Sequence, residues 1–268
     1  MAGAALSTDE GPKVPYYRPI HREVEVFDHA FRNQLALMIK GPTGCGKSRF
    51  VEAMAATVER PLVTVACHDD TSATDLLGRY LVQGGDTVWQ DGPLTRAVRQ
   101  GAILYLDEIV EAREDVVVVL HSLTDHRRQI FLDRLNETLT APPEFMLAIS
   151  FNPGYQRGFK ELKPSTRQRF VGLSFQYPEP AVEAEIVAQE SGVEPAMARR
   201  LVTFVTKARN LEEFGLNATA STRLLAHAGR LIRTGMPARL ACRVGVIEPL
   251  TDDADIRAAL QDTADLIL

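Results

Sequence analysis

The residues Gly41-Pro42-Thr43-Gly44-Cys45-Gly46-Lys47-Ser48 carry the strongest chemical signal in the chain. They fit the spacing G-x-x-x-x-G-K-[ST]. The glycines let the backbone bend and approach an anion, and the loop amides face it together with the N-terminus of a following helix. Lys47 suits the neutralisation of charge on the β- and γ-phosphates of a nucleoside triphosphate, and Ser48 suits ligation of magnesium. Gly41, Pro42, Thr43, Gly44, Cys45, Gly46, Lys47 and Ser48, with Arg49 beside them, are therefore the expected contacts for ATP, with Mg2+ as its companion ion. At Cys45 the backbone amide, rather than the thiol, is the group that matters. A chance match to this spacing in a chain of this length has odds of roughly one in a hundred.

Other residues extend the chemistry. Asp107-Glu108 ends an apolar run about 60 residues after the glycine loop. Such a pair suits a magnesium-assisted hydrolase: Asp107 to hold the metal, Glu108 to polarise the attacking water as general base. Asn152, in Ser150-Phe151-Asn152-Pro153, could orient that water or sense the γ-phosphate; standing alone it reads as an Asx turn before proline. Lys160, Lys163, Arg167 and Arg169 follow. A guanidinium can stabilise charge in phosphoryl transfer, and a neighbouring subunit can supply it; a solvated basic surface is the plainer reading. Arg223, in Ser221-Thr222-Arg223, opens an expected helix and could close it onto the nucleotide. His68-Asp69-Asp70 reads better as a polar loop than as a metal site. Tyr16 and Tyr17 suit either the adenine or the edge of the core.

These residues need a scaffold that gathers them. Leu35–Ile39, Leu62–Ala66, Ala102–Leu106, Phe145–Ser150 and Phe170–Phe175 read as short buried strands, and Val24–Asn33 and Arg49–Glu59 have helical spacing. Strands alternating with helices imply an α/β fold, a parallel sheet covered on both faces. Ligands of such sheets bind at the carboxyl ends of the strands, where each polar signature sits. Residues 1–14 are expected as a loose tail, 15–178 as the α/β nucleotide-binding domain, and 179–268 as a small all-helical domain. Two hairpins are expected within the α/β part, near 80–90 and 126–143.

The 268 residues suffice for a large and a small domain, each with a core. A hydrophobic share of 45%, a charged share of 24% and a net charge of -5 match a globular protein without the basic excess of a duplex-DNA binder. Three scattered cysteines give no disulfide framework or zinc spacing, which favours a reducing compartment. No signal peptide or apolar run of membrane length is evident, so a cytoplasmic enzyme without membrane or nucleic-acid partners is expected.

Taken in order, these pieces resemble an AAA+ ATPase. Gly41 to Ser48 looks like Walker A, Leu104 to Glu108 like Walker B, Asn152 like sensor 1, Arg169 (with Arg167 as second candidate) like the arginine finger, and Arg223 like sensor 2. The strings CHDDTSATDLLGRYL, WQDGPLTRAVRQGAILYLDEIVEAR, LTDHRRQI, SFNPGYQ and LKPSTRQRF resemble the MoxR branch, within it the CbbQ/NirQ/NorQ group and most of all CbbQ. The resemblance implies a P-loop AAA+ fold, a parallel five-stranded sheet with a helical lid. It also implies a homo-oligomeric ring, usually a hexamer, with ATP sites at subunit interfaces. It implies a partner with a von Willebrand A-type domain. CbbQ members act with CbbO to reactivate Rubisco blocked by inhibitory sugar phosphates; NorQ and NirQ members assist assembly of nitric oxide reductase or related enzymes. The hairpins near 80–90 and 126–143 correspond to the helix-2 insert and the pre-sensor-1 hairpin, which face the pore or an axial surface in such rings. A DNA loader would need a basic extension that the helical C-terminus does not supply. A small-molecule kinase would not need Glu108, Asn152, Arg169 and Arg223 in this order.

Overall fold

Five short apolar segments pair side by side, all parallel. They are β1 (Leu37–Lys40), β2 (Leu62–Ala66), β5 (Ile103–Asp107), β8 (Met146–Phe151) and β9 (Val171–Ser174), in the order β2-β5-β8-β1-β9. The structure, a computed structural model, describes residues 14–153, 162–210 and 219–268. Lys160 and residues 1–13 of the expected tail lie outside the described residues. The expected strands fall within about two residues of the observed ones, as is usual for strand ends.

Side chains alternate across a strand, so each central strand feeds two cores. Leu37, Ile39, Ile103, Tyr105, Met146 and Ala148 join Phe27 of α1 (Glu23–Arg32) and Phe50, Val51 and Met54 of α2 (Lys47–Thr57) on one face. Met38, Leu104, Leu106, Leu147 and Ile149 pack on the other face, against α4 (Pro93–Gln100) and α5 (Glu114–His121). Burial of these side chains, each worth about 1.5–3 kcal/mol, holds the sheet between its helices. The parity has a chemical result. Tyr105, Asp107 and Ser150 all point to the face covered by α2, whose first turn carries Ser48.

Both expected hairpins are present. After the short α3 (Ala73–Leu77), β3 (Gly78–Gln83) pairs antiparallel with β4 (Asp86–Asp91) through Gly84-Gly85, both at positive φ. β6 (Gln129–Leu132) pairs with β7 (Glu137–Thr140). The Tyr80 hydroxyl donates to the Arg134 carbonyl at 3.1 Å, joining the two hairpins. Arg128 anchors the second hairpin by donating to the carbonyls of Gln34, Pro142 and Phe145.

The short α6 (Pro164–Arg167) precedes β9, and from Pro180 the described chain is helical. The helices are α7 (Pro180–Ser191), α8 (Pro195–Asn210), α9 (Thr222–Arg233), α10 (Ala238–Cys242), a π-helical turn at Arg243–Ile247, α11 (Glu248–Leu250) and α12 (Ala254–Ile267). They enclose a separate core that includes Val187, Leu201, Phe204, Leu225, Val246 and Leu260. Among the described residues no helix is long and apolar enough to cross a membrane.

Candidate nucleotide site

The glycine loop lies between β1 and α2, as its sequence requires. Gly46 caps α2 with φ 102, a left-handed conformation that a side chain would strain. Gly44, at φ 70, faces the start of α9. A Cβ there would lie 2.6 Å from Ser221 Cβ, so only glycine lets the loop and the helix meet. Lys47 is buried, and its ammonium donates to the carbonyls of Gly41 at 2.8 Å and Pro42 at 3.1 Å. The loop opens on a cleft of about 680 Å³ between the α/β part and the helical part. Its walls bring Lys47, Ser48, Asp107 and Glu108 together with Arg223 and Arg230.

The carboxylates occupy distinct environments. The Ser48 hydroxyl donates to Asp107 Oδ2 at 3.3 Å, and the Tyr105 hydroxyl donates to Asp107 Oδ1 at 2.9 Å. Ser150 also donates to Oδ1 and lies 2.9 Å from the Tyr105 hydroxyl. Burial above all pushes the Tyr105 phenol up, so it remains a donor. Glu108 sits in the left-handed region, φ 53 and ψ 48, where a non-glycine residue stores strain. Its Oε2 accepts from the Asn152 amide at 3.2 Å. The Asn152 side-chain amide donates to Thr43 Oγ1 at 3.3 Å, while its Oδ1 is buried without a partner among the described residues. The Asn152 side chain thus reaches across to the glycine loop.

Ser48 and Asp107 form a hard-oxygen donor pair suited to Mg2+. Among the described residues no three His, Cys, Asp or Glu side chains group to hold a metal ion. When bound, Mg2+ would supply charge neutralisation to the phosphate oxygens.

The remaining expected residues divide. Arg223 lines the cleft. Arg49 lines it too, pairing with Glu52 at 3.3 Å and with Glu190 of α7 at 3.4 Å. Arg167 and Arg169 do not line it. Both are exposed, and Arg169 donates to the His121 carbonyl at 3.4 Å. Among the described residues neither has a carboxylate partner, nor has Arg223, whereas Lys163 pairs with Glu114 at 3.5 Å. Burial, with Arg169 and Lys163 nearby, lowers the His121 pKa. Tyr16 and Tyr17 both line the cleft, and Tyr17 also packs on Phe50 with ring centroids 5.4 Å apart. Burial pushes the Cys45 thiol up, against the pull of Lys47, so it is a poor nucleophile. His68, Asp70 and Thr71 bond one another in a turn, as a polar loop would.

Sequence reasoning passed over four participants. Tyr105 and Ser150 hold Asp107, and strand parity within Leu104 to Asp107 was the available signal. Tyr177 and Arg209 link the loop to the helical part, and no local pattern announces them.

Residues 36–170 match the AAA domain (dynein-related subfamily), and residues 183–267 match the CbbQ/NirQ/NorQ C-terminal family. The chain is 57% identical to "Protein NorQ" of Paracoccus denitrificans, covering 93% of each chain. It is 56% identical to "Denitrification regulatory protein NirQ" of Pseudomonas aeruginosa (94% of this chain, 97% of that one) and 53% identical to "Protein CbbQ" of Hydrogenophilus thermoluteolus (93% and 94%). A putative ATPase from Cytophaga hutchinsonii shares the fold at TM-score 0.51 and 15% identity, over 93% of this chain and 90% of that one. A RuvB mutant from Thermotoga maritima does so at 0.52 and 15%, over 91% and 68%. The three named relatives lie within a few per cent of one another, so similarity does not single out CbbQ among them. With its glycine loop, its acidic strand end and both family matches, the chain belongs to the CbbQ/NirQ/NorQ family of AAA+ ATPases, which bind and hydrolyse ATP.

Proposed function

We propose that this chain is the motor of an ATP-driven protein-remodelling ring, and that its site residues act as their placement suggests. The observation that carries the reading is the division of the basic residues: Lys47 and Arg223 at the cleft, Arg169 and Arg167 exposed away from it and without a carboxylate partner among the described residues. A site so divided is completed by a neighbour's arginine. Lys47 and the loop amides bind the triphosphate. Ser48 and Asp107 hold Mg2+. Glu108 takes the proton from the attacking water, and Asn152 steadies Glu108 through its backbone amide. Arg223 closes the helical part as a lid. In this reading the α/β domain covers 15–178 and the lid 179–268.

The ring, a hexamer as in related motors, works with a CbbO-like partner carrying a von Willebrand A-type domain. The two hairpins, with exposed Tyr80, Val82, Val88 and Phe131, are its contact surfaces. The string from Val65 to Phe170 favours inhibited Rubisco as client. Relatives named NorQ and NirQ are about as similar as the one named CbbQ, which keeps nitric oxide reductase assembly as the second reading. Glu108→Gln is expected to keep ATP bound with little hydrolysis, and Lys47→Ala to lose binding or turnover; normal turnover in either sinks the assignment. Proteins co-purifying with the Glu108→Gln trap from the native cell decide the client: Rubisco with a von Willebrand A-type protein, or a nitric oxide reductase subunit.

A further inference from the structure

A carboxylate buried beside an arginine lies outside the ATP cleft. Glu183 of α7 is fully buried. Its carboxylate accepts both Arg209 Nη1 at 2.8 Å and Nη2 at 2.7 Å, and the Thr222 hydroxyl at 2.6 Å. Burying an ion pair is costly, and packing alone would be better served by apolar residues. This pair is also joined to the phosphate loop. Arg209 Nε donates to the Ala220 carbonyl at 2.8 Å, just before the Ser221 cap of α9. The flat guanidinium lies over the Tyr177 ring, 4.0 Å from its centroid. The Tyr177 hydroxyl donates to the Thr43 carbonyl inside the phosphate loop at 2.9 Å. Thr43 in turn accepts from Asn152, whose amide bonds Glu108. The start of α9, which carries Arg223, is therefore joined to the loop twice: by Ser221 packed on Gly44, and through Glu183, Arg209 and Tyr177.

We propose that Tyr177 and Arg209 are positioning residues for ATP hydrolysis: with Glu183 they form a strut that fixes the Arg223 end of α9 to the phosphate loop. The planar, bidentate guanidinium suits this, because it holds the carboxylate edge-on while stacking face-on against the ring. The strut rests on the site reading given above. Its prediction is specific. Breaking the strut lets Arg223 drift, so the loss appears in turnover rather than in nucleotide capture.

The test is a double-mutant cycle on the full chain, with kcat and KM for ATP, affinity for a fluorescent ATP analogue, and melting temperature. Tyr177→Phe removes only the hydroxyl and is expected to lower kcat about fivefold, the effect of one neutral hydrogen bond. KM, analogue affinity and melting temperature should stay near wild type. Combined with Arg223→Ala, it should add almost nothing to the loss from Arg223→Ala alone. Arg209→Lys keeps the charge but not the flat stack, and should show the same coupled loss. A wild-type kcat for Tyr177→Phe, a loss confined to KM, or losses that multiply with Arg223→Ala overturn the strut. Lys47→Ala separates the two readings. If it abolishes turnover while Arg223→Ala is silent, the strut falls and the ATP site stands. If Lys47→Ala is also silent, both fall.

Discussion

Asp107 is held by three hydroxyls, those of Ser48, Tyr105 and Ser150. An apolar side chain at position 105 would fill the same core on the α2 face, so the phenol's contribution is its proton. That proton belongs to the carboxylate, a stronger acceptor than the Ser150 hydroxyl. The hydroxyl thus fixes the edge that Asp107 offers, as outer-shell groups do around metal ligands. Tyr105→Phe is expected to raise the Mg2+ concentration for half-maximal turnover about tenfold, with nucleotide affinity in the absence of metal unchanged. A metal titration of turnover, set beside metal-free nucleotide binding, measures both; an unchanged metal requirement refutes the role.

At the scale of elements, the sheet was readable because each central strand is a continuous apolar run that stops at glycine, acidic or amide residues. The loop from Gly41 to Ser48 was readable because its function demands one spacing. The site's long-range links were not readable. Glu183 lies 26 residues from Arg209 and 39 from Thr222, and Tyr177 lies 134 from Thr43. Only packing of α7, α8 and α9 around one core brings them together. Arg167 and Arg169 are exposed, in line with the solvated basic surface that their sequence also allows. The helical part should be sensitive to this buried pair. Glu183→Ala leaves the Arg209 guanidinium, whose side chain is 16% exposed, without its carboxylate. A loss of about 3–5 kcal/mol is expected. Urea unfolding followed by circular dichroism should show it as a lower midpoint; a stability within 1 kcal/mol of wild type, small beside that range, would mean water replaces the partner.

At the scale of the whole molecule, the chain presents a cleft with its own phosphate loop and, elsewhere, exposed guanidinium groups without a carboxylate partner among the described residues. Unpaired surface arginines cost little in water, so stability does not explain them. The proposed head-to-tail ring would, because a heterologous interface sets one face of each subunit against a different face of the next. Arg169 would then serve the neighbour's ATP. Arg169→Ala should therefore lose turnover while keeping its own nucleotide affinity, and Lys47→Ala should lose turnover while keeping its finger. Neither variant is active alone. Mixed in equal amounts and allowed to exchange subunits, they place an intact loop beside an intact finger at about one interface in four, and turnover should recover to that fraction. The same mixture with Arg167→Ala in place of Arg169→Ala identifies which arginine crosses. Two inactive variants that stay inactive after demonstrated exchange would confine hydrolysis to a single subunit.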